Sequence, residues 1–492
     1  MIRRDPGAAA GAAYDLIVIG GGVHGVALTL EAARRGFRPL LLERGDFGGA
    51  TSWNSMRIVH GGLRYLHSLD LPRFRESVAE RRWFLREFPD LVRPFPILMP
   101  LYGRGLRRAS VLRAALAMND LLSRGRNQGV EEGARIPDGR VLSREETLRL
   151  APVIREEGLE GGALWYDALM RSSIRLVMEM LRWACHAGAA ALNHVEATSL
   201  LTEHGRVRGV EGVDRVTGDK LEFRAPVVVN CAGPWVAALA GRFDRPVPRL
   251  FAPSLAFNVL VHTPAPVAPG MLAVSAPRPG ARTYFMYGSD AGLWLGTYHD
   301  RWSDVDRAPR AEERQIQAMV DDVNEAIPGA GLHLSGVRRV LAGLLPAKPG
   351  TDETVSRSVI HDHGRHGGPA GLFSVSGIKF TTARRVAEAV LRIIVARCFR
   401  TDLPTAAVPR PPAATVPAWP EFERLAREDP GAAAEQIGRI AREEAVVAVD
   451  DLLLRRTEWG LDPEIERIAR PLVESMLARA GHTPCDLIPA GE

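Results

Sequence analysis

The sequence predicts an α/β protein (α+β overall). A Rossmann-like dinucleotide-binding unit opens the chain, a strand-rich region fills its middle and a helical domain closes it. Three observations predict this. Between residues 14 and 43 a strand, a glycine turn, a helix and a second strand follow one another, the opening βαβ unit of a parallel sheet. The middle of the chain is rich in strand-like runs. Beyond residue 420 the pattern is almost wholly helical. With 492 residues, 46% hydrophobic and 25% charged, the chain can bury several cores, which excludes a disordered or fibrous protein.

Taken in order, residues 1–13 (MIRRDPGAAAGAA) lack an apolar segment and read as a disordered lead, not a signal peptide. Tyr14–Ile19 and Arg38–Glu43 are short apolar runs of the buried parallel-strand type. The helix Val26–Arg35 joins them and stops at Gly36. Residues 69–126 read mostly helical, interrupted at Pro94–Pro100. A helix follows at 172–187, then strands near 190–230 that end in the buried run Ala225–Ala232 and a Gly-Pro turn. Strands dominate from about 245 to 300. Gly371–Val375 is a strand entering a glycine turn, and Thr382–Arg397 is an amphipathic helix. Six prolines between 401 and 420 make a stiff linker to the helical domain at 421–492. The core is expected at 14–400.

Composition narrows the function. Cys185, Cys231, Cys398 and Cys485 are scattered with no CxxC pair, which excludes a disulfide scaffold and argues for a reducing cytoplasm. Cys231 reads as a small buried residue, not a nucleophile. The net charge is +5, yet only three of the 63 basic residues are lysines, a bias of composition. No aromatic-rich basic patch points to nucleic acid. No run of about 18 apolar residues offers a membrane span. The basic amphipathic stretch Arg104–Arg126 fits either an internal helix with solvated arginines or one lying on an anionic membrane face. His361-Asp362-His363 with His366 reads as a solvated loop, so no metal is expected.

The strongest local signal is Gly20-Gly21-Gly22-Val23-His24-Gly25, a G-x-G-x-x-G directly after a strand and opening a helix. Gly20 permits the turn, Gly22 lets the backbone approach a pyrophosphate, and Gly25 lets helix and strand pack closely. Glu43, 18 residues past Gly25, ends the next strand and suits a ribose 2′-hydroxyl, which argues against NADP. A second glycine turn, at Gly377, follows a strand and opens a helix late in the chain. A second helix N-terminus so far along favours FAD over NAD, because its N–H groups could meet the flavin end of a long cofactor.

Several blocks resemble the FAD-dependent glycerol-3-phosphate dehydrogenases. They are Tyr14–Gly25, Ala50-Thr51-Ser52, Arg57–Leu66 (with HGGLRYL), Val229–Trp235, Gly296-Thr297 followed by Asp300, Ser374–Thr382 and Asp451–Gly460 (DLLLRRTEWG). The resemblance spans about residues 14–460 and implies an FAD domain assembled from segments at about 14–80, 155–240 and 335–400, a β-sheet substrate domain inserted at about 81–154 and 241–334, and a C-terminal helical cap. It implies oxidation of sn-glycerol 3-phosphate to dihydroxyacetone phosphate, with hydride passing to FAD and electrons leaving to quinone or oxygen. It further implies a cytoplasmic protein, peripheral at the inner face of the cell membrane, and a homodimer. Arg64, Tyr65, Arg357 and Lys379 match substrate-phosphate contacts, and His60 is the base expected for the substrate hydroxyl. Arg44, Thr51, Ser52, Arg57, His60, Val195 (through its backbone), Ala232, Gly233, Gly377, Lys379 and Thr381 are the further residues expected around FAD.

Two positions depart from the family pattern. Leu345 stands where an S-G-x-R-P segment has its arginine, and Phe257 where a K-G-x-H segment has its histidine. Losing a charge-assisted contact costs about 1.5–3 kcal/mol. Weakened use of glycerol 3-phosphate is therefore expected. Another hydroxy acid, a polyol phosphate, an amine, or a non-catalytic FAD-binding role stays open.

Overall fold

A computed structural model describes residues 1–103, 108–247, 250–263, 270–482 and 485. The strands Leu16–Ile19 and Pro39–Leu42 are buried at every position, as parallel strands covered on both faces must be. They lie inside a six-stranded sheet. Its order is Val359–Asp362, Leu372–Ser376, Val228–Asn230, Leu16–Ile19, Pro39–Leu42, Ala190–Leu192. All pairings are parallel except that of the edge strand Val359–Asp362. Alternation sends Leu16 and Val18 to one core, with the helices Val23–Ala33, Ser173–His186 and Ala383–Ile394. It sends Ile17 and Ile19 to another, under a three-stranded antiparallel sheet of Val195–Glu203, Arg206–Asp214 and Lys220–Arg224. Each such fully buried Val, Leu or Ile contributes about 1.5–3 kcal/mol. The expected class, a Rossmann-like fold with a second sheet and a helical C-terminal region, is the one observed.

The inserted sheet has nine strands. Along its path run Val337–Pro346, Pro253–Val261, Gly292–Arg301, Thr283–Ser289, Met271–Ser275, Val92–Leu101, Gly161–Met170 and Ile58–Val59, with Arg140–Leu142 added to Gly161–Met170. Ile58–Val59, Gly161–Met170 and Val337–Pro346 thus belong to this sheet, although the expected boundaries put them in the dinucleotide-binding segments. The segment Pro94–Pro100, expected to interrupt helices, is itself strand, paired with Gly161–Met170 over its whole length. Pro94, Pro96 and Pro100 sit at alternate positions, so their missing N–H groups all fall on one edge.

Residues 1–13 are not a disordered lead. Ile2 is fully buried and its N–H donates to the Glu443 carbonyl at 2.7 Å. Arg4 pairs with Asp214, and Asp5 caps a short helix, Pro6–Ala10. The proline-rich stretch is likewise tied down. Val408 accepts from Trp183 and Arg34, Arg410 pairs with Asp90, and Pro417 accepts from Trp459. Trp419–Glu428, Pro430–Glu443 and Pro463–Arg479 then pack around Phe422, Ile437, Leu453, Trp459, Val473 and Leu477. Among the described residues no helix is long and apolar enough to cross a membrane.

This helical domain is bolted to the domain of the six-stranded sheet by buried charges. Glu444 accepts two bonds from Arg175, both at 2.7 Å, and the fully buried Arg456 grips Asp46 at 2.7 and 2.8 Å. Burial opposes ionisation of Glu444, but Arg175, then Arg456 and Arg182, hold its carboxyl below the usual range. Its stabilisation is therefore complete above the unfolded carboxylate range, about pH 4, and fades as pH falls below it. Glu444→Gln should cost about 3–5 kcal/mol at neutral pH, because Arg175 is left buried and under-paired. Denaturant unfolding should show that difference shrinking below about pH 4.

Candidate active site

The first glycine bend has the geometry its sequence implies. Gly20 adopts φ +109°, and a Cβ there would lie 2.5 Å from the Cys231 carbonyl oxygen. A Cβ on Gly25 would lie 1.9 Å from the Gly20 oxygen. A Cβ on Gly22 would meet only the Ser52 hydroxyl, at 3.4 Å, so that side of the turn is open. Ser52 accepts from the Val23 N–H at 2.9 Å, at the N-terminus of the helix Val23–Ala33. Both Glu43 carboxylate oxygens accept backbone N–H groups, from Gly21 at 2.6 Å and Gly45 at 2.8 Å. Burial pushes the Glu43 carboxyl up against those bonds.

A cavity of about 680 Å³ runs from this bend. Gly20, Gly22, Glu43, Arg44, Thr51, Ser52, Val195, Ala232, Gly233 and Gly377 all line it, as the sequence proposes for a cofactor. Arg44 lies 4.1 Å over the Trp235 ring, and the Thr51 hydroxyl donates to the Leu344 carbonyl. The Val195 N–H is already bonded to the Glu43 carbonyl at 2.8 Å. Burial pushes the Cys231 thiol up to about 12, so it is no nucleophile.

The early and late bends meet. A Cβ on Gly377 would fall 1.9–2.3 Å from the His24 ring, so only glycine lets the two segments touch. Burial pushes His24 down to about 4, leaving it neutral, and its Nε2 is buried without a partner in the cavity wall. A glycine cradle at a helix N-terminus and an orphaned buried polar atom together fit a bound dinucleotide.

A cationic cluster lies where the late turn ends. Lys379 Nζ is 4.4 Å and Arg64 Cζ 5.2 Å from the centre of the Tyr65 ring. Burial, and then the charge of Arg64, push Lys379 down to about 8. Four residues before Arg64, His60 Nδ1 lies 3.2 Å from Asp167, which also accepts from Gly61 N–H and Arg81. Burial opposes ionisation of Asp167, yet His60 and Arg81 hold its carboxyl below the usual range. His60, Arg64, Tyr65, Asp167 and Lys379 do not themselves line the cavity. Ile378 and Phe380, on either side of Lys379, line it, while Thr381 sits in the following turn without lining it.

Three sequence assignments fall elsewhere. Arg57 does not line the cavity. Its backbone is left-handed (φ +63°), and its guanidinium donates to Glu458 and the Arg171 carbonyl and lies 4.2 Å over Trp294. Arg357 is exposed in the connection after Val337–Pro346 and is not among the lining residues. Phe257 is fully buried and stacks on Tyr298, 4.9 Å between ring centres, on the core side of its strand. Strand alternation turns its neighbours Ala256 and Asn258 to the cavity instead. Leu345 does line it, whereas Arg338 and Arg339 are committed to Asp462 and Glu466.

Sequence reasoning missed Asp167, Asn258 and His299. Asn258 accepts from the Thr297 hydroxyl and donates to the Asn54 carbonyl. His299 lines the cavity with its Nδ1 buried and unpartnered, and burial, then Arg282, push its pKa down. Its place two residues after Thr297 of the Gly296-Thr297 pair was the available signal.

Comparison with known proteins agrees with this geometry. Residues 15–392 match the family of FAD dependent oxidoreductases called DAO. A glycerol-3-phosphate dehydrogenase of Synechocystis sp. is 32% identical over 82% of this chain and 74% of its own length. Glycerol-3-phosphate dehydrogenase 1 of Mycobacterium tuberculosis is 32% identical over 95% of this chain and 96% of its own. Among solved structures, the glycerol-3-phosphate dehydrogenase of Bacillus halodurans complexed with FAD shares the fold (TM-score 0.72, 22% identity, 97% of this chain and 93% of that one). The L-α-glycerophosphate oxidase of Mycoplasma pneumoniae with FAD bound does so more loosely (TM-score 0.59, 15% identity, 82% and 99%). Fold and site thus define an FAD-dependent oxidoreductase. Within that class the chain belongs to the FAD-dependent glycerol-3-phosphate dehydrogenase family.

The bend contact gives a direct prediction. Gly377→Ala should drive the late turn off His24 and lower the flavin-to-protein absorbance ratio of the purified protein at least several-fold. A ratio equal to the parent's would show that the two bends need not touch.

Proposed function

We propose that this protein oxidises sn-glycerol 3-phosphate, or a close phosphorylated secondary alcohol, to the ketone and passes the electrons to a membrane quinone. One observation carries the reading. Arg64 and Lys379 share one aromatic ring, and neither has a carboxylate partner among the described residues. A half-buried ammonium beside an exposed guanidinium, with no counter-charge for either, favours a dianion beside them. The names of the 32%-identical relatives support the phosphorylated alcohol.

Bound FAD supplies a two-electron acceptor for the hydride of the substrate carbon. The chain supplies the rest. Gly20, Gly22, Glu43 and Ser52 hold the phosphate and ribose end. The Lys379 ammonium and the N–H groups after Gly377 stabilise negative charge developing at the other end. Arg64 and Lys379 grip the substrate phosphate. His60, fixed at Nδ1 by Asp167, takes the hydroxyl proton at its other ring nitrogen as the C–H pair leaves and the carbonyl forms. Asn258, Thr297 and His299 shape the facing wall. Leu345 leaves that wall without an arginine, which should raise KM for the phosphate ester about 10- to 100-fold over a complete cationic cup.

Anaerobic flavin reduction tests this. Glycerol 3-phosphate should bleach the flavin, and kcat/KM should fall as pH rises through about 8, where Lys379 loses its proton. Lys379→Arg should move that limb to higher pH, and His60→Asn should slow bleaching about 10²–10⁴-fold with FAD retained. Full flavin content with no bleaching at any pH would overturn the reading.

The quinone assignment draws on the helix Ala109–Leu122. Its exposed side carries Val111, Met118, Leu121 and Leu122, flanked by exposed Arg108, Arg113 and Arg124. Only Leu116 is buried, so the reading of an internal helix does not describe it. Residues 104–107 of this basic stretch lie outside the described residues. The helix packs against Leu63–His67, which carries Arg64 and Tyr65. An apolar ridge rimmed by arginines suits the anionic inner face of the cell membrane. The protein should co-sediment with vesicles containing phosphatidylglycerol, and Met118→Asp with Leu121→Asp should abolish this. Equal sedimentation of parent and variant would remove the assignment.

A further inference from the structure

We propose that the C-terminal helical domain is part of the FAD site. Arg455, together with His194, which Asp451 orients, contacts the adenosine and pyrophosphate half of the cofactor, so FAD binding and docking of this domain are coupled.

Among the described residues, Arg455 is the one beyond position 380 that lines the cavity. It enters beside Glu43, Arg44, Gly45 and Asp46, the segment that follows the ribose-binding strand. Its stem packs close to Gly49, where a Cβ would lie 3.9 Å from its Cδ. Its guanidinium is anchored from behind. Nε donates to Asp46 at 2.7 Å and Nη2 to Asp451 at 3.2 Å. Asp46 is already gripped by Arg456 and accepts from Asn193, so it does not neutralise Arg455 alone. A cation held this way in a cavity wall suits a pyrophosphate.

His194 is the independent observation. It lines the same cavity, and its Nδ1 is buried with no partner. Its Nε2 lies 3.0 Å from Asp451, which accepts as well from the Val447 and Ala448 N–H groups. Asp451 therefore fixes the proton on Nε2 and leaves Nδ1 as an acceptor. Adenosine supplies the matching donors, its ribose hydroxyls and its amino group. Asp46, His194 and Asp451 also stand at metal-ligand spacing. Their carboxylates are already paired with Arg455, Arg456 and His194, which argues against a cation there.

Both Asp451 and Arg455 belong to the C-terminal domain, while His194 and Asp46 belong to the FAD domain. Linkage then requires each event to strengthen the other by the same factor. This holds whatever the substrate is, so it stands apart from the assignment of glycerol 3-phosphate.

The test uses the full-length protein stripped of flavin and titrated with FAD by flavin fluorescence and with ADP by calorimetry. Arg455→Met keeps the stem and removes the charge. It should weaken FAD and ADP alike, about tenfold, with Arg455→Lys recovering part of the loss. The apo-protein melting temperature separates this from general destabilisation. Hydrogen exchange on the unaltered protein needs no variant, and residues 447–456 should exchange more slowly once FAD is bound. FAD and ADP affinities equal to the parent's, or exchange at 447–456 indifferent to FAD, would overturn the proposal.

Discussion

The contact between Gly377 and the His24 ring is the constraint from which the rest of the site follows. It fixes a turn late in the chain against a turn near its start. Each turn opens a helix, and each helix end offers unpaired N–H groups and partial positive charge. A cofactor with a phosphate at one end and an electron-accepting ring at the other is what such a pair can span. The inserted sheet then has one job at the site, to close the ring end with Ala256, Asn258, Thr297, His299 and Leu345.

Charge bookkeeping separates site from scaffold. The buried arginines of the scaffold are matched: Arg175 with Glu444 and Glu179, Arg456 with Asp46, Arg81 with Asp167, Arg384 with Glu80. Such pairs cost desolvation and return specificity of docking more than stability. Lys379 breaks the pattern: half-buried next to the exposed Arg64, it has no carboxylate partner among the described residues, and it is a lysine in an arginine-dominated chain. Its proton is held weakly because of burial and of Arg64, the condition expected of a group waiting for an anion.

Legibility in the sequence followed the range of the interaction. The glycine bend, Glu43 and the late turn depend on neighbours a few residues away, and their residue types announced the cavity they line. HGGLRYL likewise placed Arg64, Tyr65 and His60 side by side. What stayed hidden depended on distant partners. Arg57 is claimed by Glu458, and Ile2 by the chain near Glu444. Which of Phe257 and Asn258 faces the cavity is a question of strand register, set by pairing with Val337–Pro346 and Gly292–Arg301. Asp167 becomes visible only once its strand lies beside Ile58–Val59.

The most direct test of the central claim is a crystal structure of the FAD-loaded protein soaked with inorganic phosphate at neutral pH. The account predicts flavin stretched from the Gly20 bend to the Gly377 bend, and a phosphate held by both Arg64 and Lys379. Flavin in that position with the anion seated elsewhere, or with Arg64 and Lys379 facing only solvent, would contradict it.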